Sequence, residues 1–342
     1  MPDTSRRALL MGLAGSALVG RAEAQQSAES FFKGRTINVV VGYAPGGGYE
    51  LYARFYAQYM PRYIPGNPSM VLQFMPGAAS LQAANYVFNE APRDGTVLGV
   101  VTQTLMLEEA MGTQGVRYKA ADYDWIGRMT AAVEVELISK RAQAKTIEDV
   151  RRYETICGGS GPASPSEGYP RLLNAFGGTK FKIISGYPGA AEIMTALDRG
   201  EVEAMENSWG VVARSKREQL ASGDIKVIVQ GALERSPALP DVPTVVEVGL
   251  TDEGKAALAF YTSSAAVGRS MLGPPGIPAD RLKALRDAFN AVQHDADFLT
   301  DIKKSGAEYE PETGEYLQDL AKKIATTPPD IVARTAKALK PM

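Results

Sequence analysis

A glycine loop between an apolar strand and a helix is the feature that most constrains the fold of this chain. Val39-Val40-Val41 is typical of a buried strand, three glycines follow at 46–48, and a helical pattern covers 50–63. Glycines let backbone N–H groups approach a ligand without interference from a Cβ atom. A helix start adds unpaired N–H donors and partial positive charge. The motif therefore predicts an anion site that needs no basic side chain, although the loop alone also fits a simple tight turn.

The same order of strand, loop and helix recurs along the chain. Strands are predicted at 37–41, 70–74, 97–101, 135–139, 155–158, 181–185 and 225–230, and helices at 50–63, 81–89, 146–152, 167–176, 191–199, 280–293, 314–324 and 329–340. Alternating strands and helices with short links indicate an α/β fold in which each sheet is mainly parallel and flanked by helices. The similar organisation of 35–130 and 135–230 predicts two lobes facing one cleft. Ligands of such sheets bind at the carboxyl ends of the strands.

The N-terminus has the pattern of an export signal. Ser5-Arg6-Arg7 precedes an apolar run at 8–20, and small residues surround a cleavage site near Ala24. The run is shorter than the roughly 20 residues that a membrane anchor needs. Residues 1–24 are therefore predicted to be a cleaved signal peptide, with the paired arginines favouring the twin-arginine type. The expected location is the periplasm.

Composition excludes several classes of function. The formal net charge is −2 and the chain has no polybasic run, so nucleic acid is not an expected partner. Cys157 is the only cysteine, predicted to be a small buried strand residue, so an intramolecular disulfide cannot form. His294 is the only histidine and is predicted to face water on the 280–293 helix, which argues against a histidine-dependent triad or zinc site.

Nucleotide and hydrolase motifs are also missing. The glycines at 46–48 lack the G-x-G-x-x-G spacing, and no P-loop motif occurs. Gly159-Ser160-Gly161 does not match G-x-S-x-G. We expect no catalytic residue, no metal and no cofactor. An exported enzyme that uses only acidic residues is the remaining catalytic alternative.

Six motifs occur in one order and carry a family resemblance. They are Gly-Tyr-Ala-Pro-Gly-Gly-Gly at 42–48, Pro-Gly-Ala at 76–78, Ala-Pro-Arg-Asp-Gly-Thr at 91–96, Gly-Tyr-Pro-Gly at 186–189, Leu-Pro-Asp-Val-Pro-Thr-Val-Val-Glu-Val-Gly-Leu at 239–250, and Gly-Pro-Pro-Gly-Ile-Pro at 273–278. With these motifs behind a signal peptide, the chain resembles the solute receptors of tripartite tricarboxylate transporters, also called the Bug family. The resemblance covers nearly all of the mature chain.

The resemblance implies a two-lobed type II periplasmic binding protein with a hinge and a ligand cleft between the lobes. Lobe 1 is expected to comprise 28–132 plus 262–342, and lobe 2 to comprise 133–261. Such a receptor captures a small organic carboxylate and delivers it to integral membrane subunits, and we expect a monomer that is not an enzyme. The alternative is a carboxylate sensor that feeds a two-component signalling system.

The resemblance also implies a set of ligand-binding residues in loops of both lobes. They are Ala44, Gly46, Gly47, Gly48, Glu50, Gly77, Ala78, Ser80, Thr102 and Gln103 in lobe 1, and Ser160, Gly161, Ser164, Ser166, Tyr187, Gly189, Ala190, Asn207 and Ser208 in lobe 2. One anion site at 44–48 and a second at 158–166 would bind the two ends of a dicarboxylate, or a carboxylate and a polar group. In the family, carboxylates are held mainly by backbone amides and waters.

Three departures from the family pattern concern the ligand. Glu50 stands where Asp is usual, and Glu is a poorer helix cap. Ala79 adds a methyl group where the family has glycine, and the serine loop at 161–166 lacks a frequent histidine. Several residues also have structural interpretations: Ser160 and Ser166 as helix caps, Tyr187 as a core or hinge aromatic, Arg54 as the partner of a carboxylate, and Asp241 and Glu247 as supports of a proline-rich loop.

Overall fold

The computed structural model describes residues 27–340, so the predicted signal peptide at 1–24 lies outside the described residues. In chain order the strands are β1 Thr36–Val41, β2 Ser69–Phe74, β3 Val97–Val100, β4 Asp124–Thr130, β5 Glu134–Ser139, β6 Thr155–Gly158, β7 Phe181–Ile184, β8 Ala204–Ser208, β9 Ile225–Gly231, β10 Arg269–Gly273 and β11 Glu312–Thr313. The α-helices are α1 Ala28–Phe32, α2 Gly48–Tyr59, α3 Leu81–Asn89, α4 Leu105–Ala110, α5 Ile147–Val150, α6 Pro165–Gly177, α7 Ala190–Arg199, α8 Trp209–Ser215, α9 Arg217–Ser222, α10 Val245–Val248, α11 Asp252–Thr262, α12 Ala279–Val292, α13 Ala296–Ser305, α14 Gly314–Ala325 and α15 Pro329–Leu339.

The strands form two separate sheets, as the two-lobed prediction requires. The six-stranded sheet has the order β11-β4-β10-β3-β1-β2, and the five-stranded sheet has the order β7-β6-β8-β5-β9. We call each sheet with its helices lobe 1 and lobe 2, respectively. The chain passes from lobe 1 to lobe 2 through residues 131–133 and returns after α11.

The sheets are mixed rather than mainly parallel. In lobe 1, β1 pairs parallel with β2 and β3, but β10 pairs antiparallel with β3 and β4, and β11 with β4. In lobe 2, β6 pairs parallel with β7 and β8, whereas β5 pairs antiparallel with β8 and β9. The parallel pairs come from the predicted strand–helix–strand units. The antiparallel pairs of β5 and β10 arise where the chain crosses between lobes, because each of these strands enters a sheet directly from the other lobe.

The C-terminal part of the chain serves both lobes. Helices α12 and α14 pack on β4 in lobe 1, as predicted for 262–342. The last helix, α15, instead packs against α6 and α11 of lobe 2. The predicted lobe 1 included the whole tail, 262–342, whereas α15 packs on lobe 2. The tail therefore contacts both lobes.

Aromatic packing forms the lobe 1 core. Tyr56 of α2 stacks on Phe289 of α12, with ring centroids 4.4 Å apart, and Phe298 of α13 meets Tyr56 edge to face at 5.4 Å. Such pairs stabilise a core by about 0.5–1.5 kcal/mol beyond the burial of their area. They hold α2, and therefore the glycine loop before it, in a fixed place on the sheet.

Two predictions about single residues are confirmed. Cys157 is buried in β6, and His294 is exposed in the turn after α12. None of the helices within residues 27–340 combines the length and the apolar character needed to cross a bilayer.

Candidate functional site

Loops from both sheets meet around two neighbouring cavities. The inner cavity has a volume of about 50 Å³ and the outer cavity about 420 Å³. The inner cavity is lined by Tyr43, Ala44, Gly47, Gly48, Tyr49, Glu134, Ser160, Ser164, Pro165, Ser166, Ala190, Ile193, Glu206, Asn207 and Arg269. The outer cavity is lined by Tyr43, Pro76, Gly77, Ala78, Ala79, Ser80, Ser160, Gly161, Gly186, Tyr187 and Pro188. Tyr43 and Ser160 line both.

The glycine loop presents the start of α2 to the inner cavity. Gly47 is the N-cap residue and has an extended backbone, and the N–H groups of the first turn have no partner inside the helix. Glu50 is the third residue of the helix rather than its cap. Its carboxylate accepts the Gly46 N–H at 2.5 Å and pairs with Arg54 one turn later. Glu50 therefore closes the turn, and the N–H of Gly46 is committed to it.

The 77–80 loop has an unusual backbone beside the outer cavity. Ala78, Ala79 and Ser80 have φ angles of 46°, 53° and 75°, in the left-handed region that L-residues rarely adopt. Ser80 is fully buried, and its Oγ accepts the N–H of Thr102 at 3.1 Å. Ala79 therefore stands at a position where glycine would be unstrained.

Three serine hydroxyls form the lobe 2 side of the inner cavity. Ser166 Oγ accepts the Ser160 N–H at 3.0 Å and lies 3.1 Å from Ser160 Oγ and 2.8 Å from Ser164 Oγ. The fully buried Glu167 accepts the Gly161 N–H at 2.8 Å and pairs with Arg171. Although Ser164 is the N-cap residue of α6, its side chain makes no capping bond. The hydroxyls are therefore oriented by one another and by the loop, not by the helix end.

A buried arginine lies on the hinge side of the inner cavity. Arg269 of β10 donates from Nη2 to Glu134 Oε1 at 3.1 Å and from Nη1 to the side-chain oxygen of Gln103. Its guanidinium lies over the Tyr49 ring, 4.2 Å from the centroid. Arg269 is the one basic side chain among the described residues that line this cavity. Burial alone would lower the pKa of Arg269. The neighbouring Tyr49, Glu134 and Glu206 raise it by more, so the net pKa lies above its usual value and the group stays charged.

Two further glutamates are buried next to this ion pair. Burial, together with the neighbouring Glu134 carboxyl, raises the pKa of Glu206 well above its usual range. Burial raises the pKa of Glu136 to about 8, and the thiol of Cys157 lies 3.3 Å from its Oε1. Both groups are therefore neutral carboxyls near pH 7. Within residues 27–340 no group of three or more His, Cys, Asp or Glu side chains is placed to hold a metal ion.

Several predicted residues line neither cavity. Gln103 and Thr102 are fully buried behind the loops, where the Gln103 N–H donates to the Tyr49 hydroxyl at 3.0 Å. Gly189 is the N-cap residue of α7, and Ser208 donates its N–H to Asn207. Gly46 and Glu50 also line neither cavity, and all of these predicted residues support the loops that do. The other predicted residues line one cavity or both: Ala44, Gly47, Gly48, Gly77, Ala78, Ser80, Ser160, Gly161, Ser164, Ser166, Tyr187, Ala190 and Asn207.

The two lobes are in contact around the cavities. Thr104 of lobe 1 donates from its hydroxyl to the carbonyl of Ala163 in lobe 2 at 2.7 Å. A Cβ atom built on Gly161 would lie 3.2 Å from Ala79 Cβ, and one on Gly46 would lie 3.0 Å from Ala191 Cβ. Loops of the two lobes are therefore in direct contact beside the cavities.

Sequence reasoning missed the side chains that give the inner cavity its charge. They are Arg269, Glu134 and Glu206, and the aromatic residues Tyr43 and Tyr49 join them. Tyr43 belongs to the glycine motif and Tyr49 directly follows it, so both had a local signal. The charged residues occur singly in strands and had none.

Comparison with known proteins decides the family. A model of the tripartite tricarboxylate transporter family receptor matches residues 57–335. The chain belongs to this receptor family. A curated relative of the receptor, an uncharacterised-family protein encoded between tcbD and tcbE in Pseudomonas sp. strain P51, is 23% identical over 336 residues, which is 94% of this chain and 92% of the relative.

Solved structures share the fold of the receptor. The periplasmic binding protein BugD superposes with a TM-score of 0.71 at 21% identity, covering 89% of this chain and 97% of BugD. MatC from Rhodopseudomonas palustris, solved with bound malate, gives 0.69 at 22% identity, covering 90% and 99%. A second R. palustris protein, solved with adipate, gives 0.69 at 19% identity, covering 89% and 97%. The receptor family and the periplasmic binding protein fold that were predicted from the sequence are confirmed.

Proposed function

We propose that this receptor captures a small organic carboxylate between its lobes in the periplasm and delivers it to the integral membrane subunits of a tripartite tricarboxylate transporter. The supporting observation is the inner cavity, to which the start of α2 in lobe 1 and the serine loop of lobe 2 both contribute. Malate and adipate in two structural neighbours are consistent with a carboxylate as the ligand class. Export by the predicted signal peptide is part of the proposal.

The proposed binding geometry uses few side-chain charges. The ligand carboxylate accepts N–H groups from the first turn of α2, where the helix dipole favours an anion. Ser160, Ser164 and Ser166 supply hydroxyls from the opposite lobe. Because these groups belong to different lobes, a ligand that binds both stabilises the closed cleft over the open one.

The small volume of the inner cavity limits the size of the ligand. A water molecule needs about 10–15 Å³ of such volume, so about 50 Å³ admits only a few heavy atoms. A ligand larger than this needs the cleft to widen or must extend toward the outer cavity. Binding therefore involves movement of lobe 2, with α15 packed on it, against lobe 1.

Two substitutions at Gly47 test the anion site. A Cβ atom built on Gly47 meets no atom within 4 Å, and the residue has φ −96°, so a side chain fits there without strain. In Gly47→Asp the carboxylate caps α2 and competes with the ligand for the same N–H groups. Gly47→Ala is the matched control, since it adds a methyl group in open space.

The measurement is a thermal-shift screen of both variants and the wild type over mono-, di- and tricarboxylates, with neutral sugars for comparison. We expect a carboxylate to raise the melting temperature of the wild type and of Gly47→Ala, and to lose its effect in Gly47→Asp. Stabilisation by a sugar and by none of the carboxylates would refute the carboxylate assignment. Equal stabilisation of Gly47→Asp would refute the location of the anion site.

A further inference from the structure

One carboxylate in the first turn of α6 bonds to two separate loops of lobe 2. Glu167 is the third residue of α6, and its side chain is fully buried. It lines neither the inner nor the outer cavity. The β6–α6 loop, 159–164, and the β7–α7 loop, 185–189, do contribute residues to these cavities. Glu167 therefore acts on a ligand only through the loops that it holds.

A single oxygen of this carboxylate joins the two loops. Glu167 Oε1 accepts the N–H of Gly161 in the β6–α6 loop at 2.8 Å. The same oxygen accepts the hydroxyl of Ser185, the first residue of the β7–α7 loop. Hydrogen bonds to an ionised acceptor are stronger than those between neutral groups. The two loops are thus fastened to one point on α6.

The second oxygen of the carboxylate carries the countercharge. Glu167 Oε2 accepts from Arg171 Nη2 at 2.7 Å, one turn later on the same helix. A buried carboxylate without a cation is strongly unfavourable, and Glu followed by Arg at i+4 is a stabilising order. The Arg171 side chain is 13% exposed and also lines neither cavity. The ion pair leaves Oε1 free to hold the loops.

The backbone of both loops fits closely around the Glu167 side chain. A Cβ atom built on Gly159 would lie 2.3 Å from Glu167 Cγ, so only glycine lets the chain pass at this distance. Gly159 also bonds to the neighbouring segment: its N–H donates to the Ile184 carbonyl at 2.9 Å, and its carbonyl accepts the Tyr187 N–H at 3.2 Å. The two loops therefore form one unit around the carboxylate.

This unit supplies walls to both cavities. Ser160 lines both of them, and Ser164 lines the inner one. The residues of the two loops that line the outer cavity alone are Gly161, Gly186, Tyr187 and Pro188. A shift of the Glu167 carboxylate would consequently move the serine hydroxyls and the wall of the outer cavity together.

Building on the proposed function, we infer that Glu167 is a positioning residue for the ligand. It holds the β6–α6 and β7–α7 loops in one arrangement before a ligand arrives, with the serine hydroxyls at the inner cavity. Groups that are already ordered lose less conformational freedom on binding, which strengthens it. An acid that only stabilised the start of a helix would act on α6 and not on the β7–α7 loop.

Glu167→Gln is the variant that tests this role, because it keeps the shape of the side chain. A carboxamide has one acceptor and one donor end. With its oxygen towards Gly161 and Ser185, its NH₂ group meets Arg171, donor against donor. With the amide reversed, the NH₂ group meets the Gly161 N–H. The double variant Glu167→Gln with Arg171→Met removes the first conflict and lets the amide oxygen accept from both loops.

Two further variants complete the set. Lys216→Met is the matched control, since it breaks another lobe 2 ion pair, with Asp198, whose lysine side chain is 10% exposed and lines neither cavity. Ser185→Ala removes only the bond from the β7–α7 loop. It keeps the test valid should Glu167→Gln fail to fold, which circular dichroism shows.

The first measurement is hydrogen exchange of the ligand-free receptor, followed by mass spectrometry. We expect Glu167→Gln to speed exchange in peptides covering 159–164 and 185–189 by about 10-fold or more, as for loss of a charged hydrogen bond. The double variant should regain part of the protection, Ser185→Ala should loosen 185–189, and Lys216→Met should leave both loops unchanged. Faster exchange confined to α6, or none, would refute the inference.

The second measurement is isothermal titration calorimetry with malate, adipate and citrate, beside urea unfolding of each variant. Glu167→Gln is expected to weaken the carboxylates that bind the wild type by about 10-fold or more, the double variant to recover part of this loss, and Lys216→Met to bind like the wild type. A Glu167→Gln protein that loses stability but binds like the wild type refutes the inference and leaves the proposed function intact. If no carboxylate binds the wild type, the proposed function fails, and the exchange rates alone decide whether Glu167 fixes the loops.

Discussion

The buried Arg269–Glu134 pair provides the sharpest test of how the two lobes are held together. Arg269 lies on β10 of lobe 1 and Glu134 at the start of β5, the first strand of lobe 2. The residues are 4% and 2% exposed, and the bonded atoms are 3.1 Å apart. Arg269→Met removes the cation and leaves the carboxylate buried near Glu206.

The expected loss follows from the burial of both groups. Removing one partner of a buried pair typically costs about 3–5 kcal/mol, because the remaining charge has lost its counterion. The contact of Arg269 with the Tyr49 ring at 4.2 Å is lost as well. We therefore expect Arg269→Met to lower the free energy of unfolding by about 3–5 kcal/mol. The double variant with Glu134→Gln should recover about 2 kcal/mol or more, since no uncompensated charge is left.

The assay is urea unfolding without ligand, followed by circular dichroism and tryptophan fluorescence. The chain has two tryptophans, Trp125 on β4 in lobe 1 and Trp209 at the start of α8 in lobe 2, so fluorescence reports on both lobes. Arg54→Met is the control, because the Arg54 side chain is 63% exposed and its pair with Glu50 should contribute under about 1 kcal/mol. A loss below about 1 kcal/mol for Arg269→Met, or a double variant no more stable than the single one, would refute the reasoning.

Three further predictions concern the loops and the buried carboxyls. Gly42→Ala should destabilise the receptor by about 1–3 kcal/mol and displace the 77–80 loop, because the new Cβ would lie 1.8 Å from Ser80 Oγ. Urea unfolding measures the loss, and an unchanged free energy of unfolding would contradict this packing. The pKa of Glu136 is raised to about 8, so the folded chain keeps a proton that the unfolded chain releases, and the stability of the wild type falls as pH rises from about 4.5 to 8. Melting temperatures at pH 5, 7 and 9 should show that Glu136→Gln becomes more stable relative to the wild type as pH rises. A difference that does not change with pH would contradict this. Partial burial raises the pKa of Glu50, but Arg54 and the Gly46 N–H lower it by more, so Glu50 stabilises the fold above its unfolded pKa and this stabilisation disappears in acid. Glu50→Gln should lower the free energy of unfolding by under about 1 kcal/mol at pH 7 and leave it unchanged near pH 3. A loss of stability that persists in acid would argue against an ionic role.

The local elements of the fold were predictable from the sequence. The helix α3 was predicted at its observed bounds, and β1 and α7 within one residue, because their apolar patterns and turn residues lie within a few positions of each other. The strands β4 and β10 were not predicted. They pair antiparallel with each other, although the whole of lobe 2 lies between them in the sequence. A pairing between segments about 140 residues apart leaves no local pattern.

The buried glutamates Glu134 and Glu136 show why half of the site could not be predicted. Glu134-Val135-Glu136-Leu137 alternates charged and apolar residues, a pattern typical of a strand with one face in water. In the structure both glutamates are buried, because α6 of lobe 2 covers that face, and Tyr169 of this helix lies in the same small pocket as the two carboxyl groups. Periodicity reports which residues share a face, but not what packs on that face. The glycine loop, in contrast, carries its function in its own backbone.

These two halves of the site have different consequences for specificity. Backbone amides and serine hydroxyls can donate to any carboxylate, and the glycine and serine loops that carry them have local signals in the sequence. Glu134, Glu206 and Arg269 come from three strands that only the folded chain brings together, and they line the same inner cavity. The loops therefore account for the proposed binding of a carboxylate, whereas we expect discrimination between one carboxylate and another to depend on these three side chains. Glu206→Gln should change the order of affinities in a carboxylate screen without removing the binding of every carboxylate.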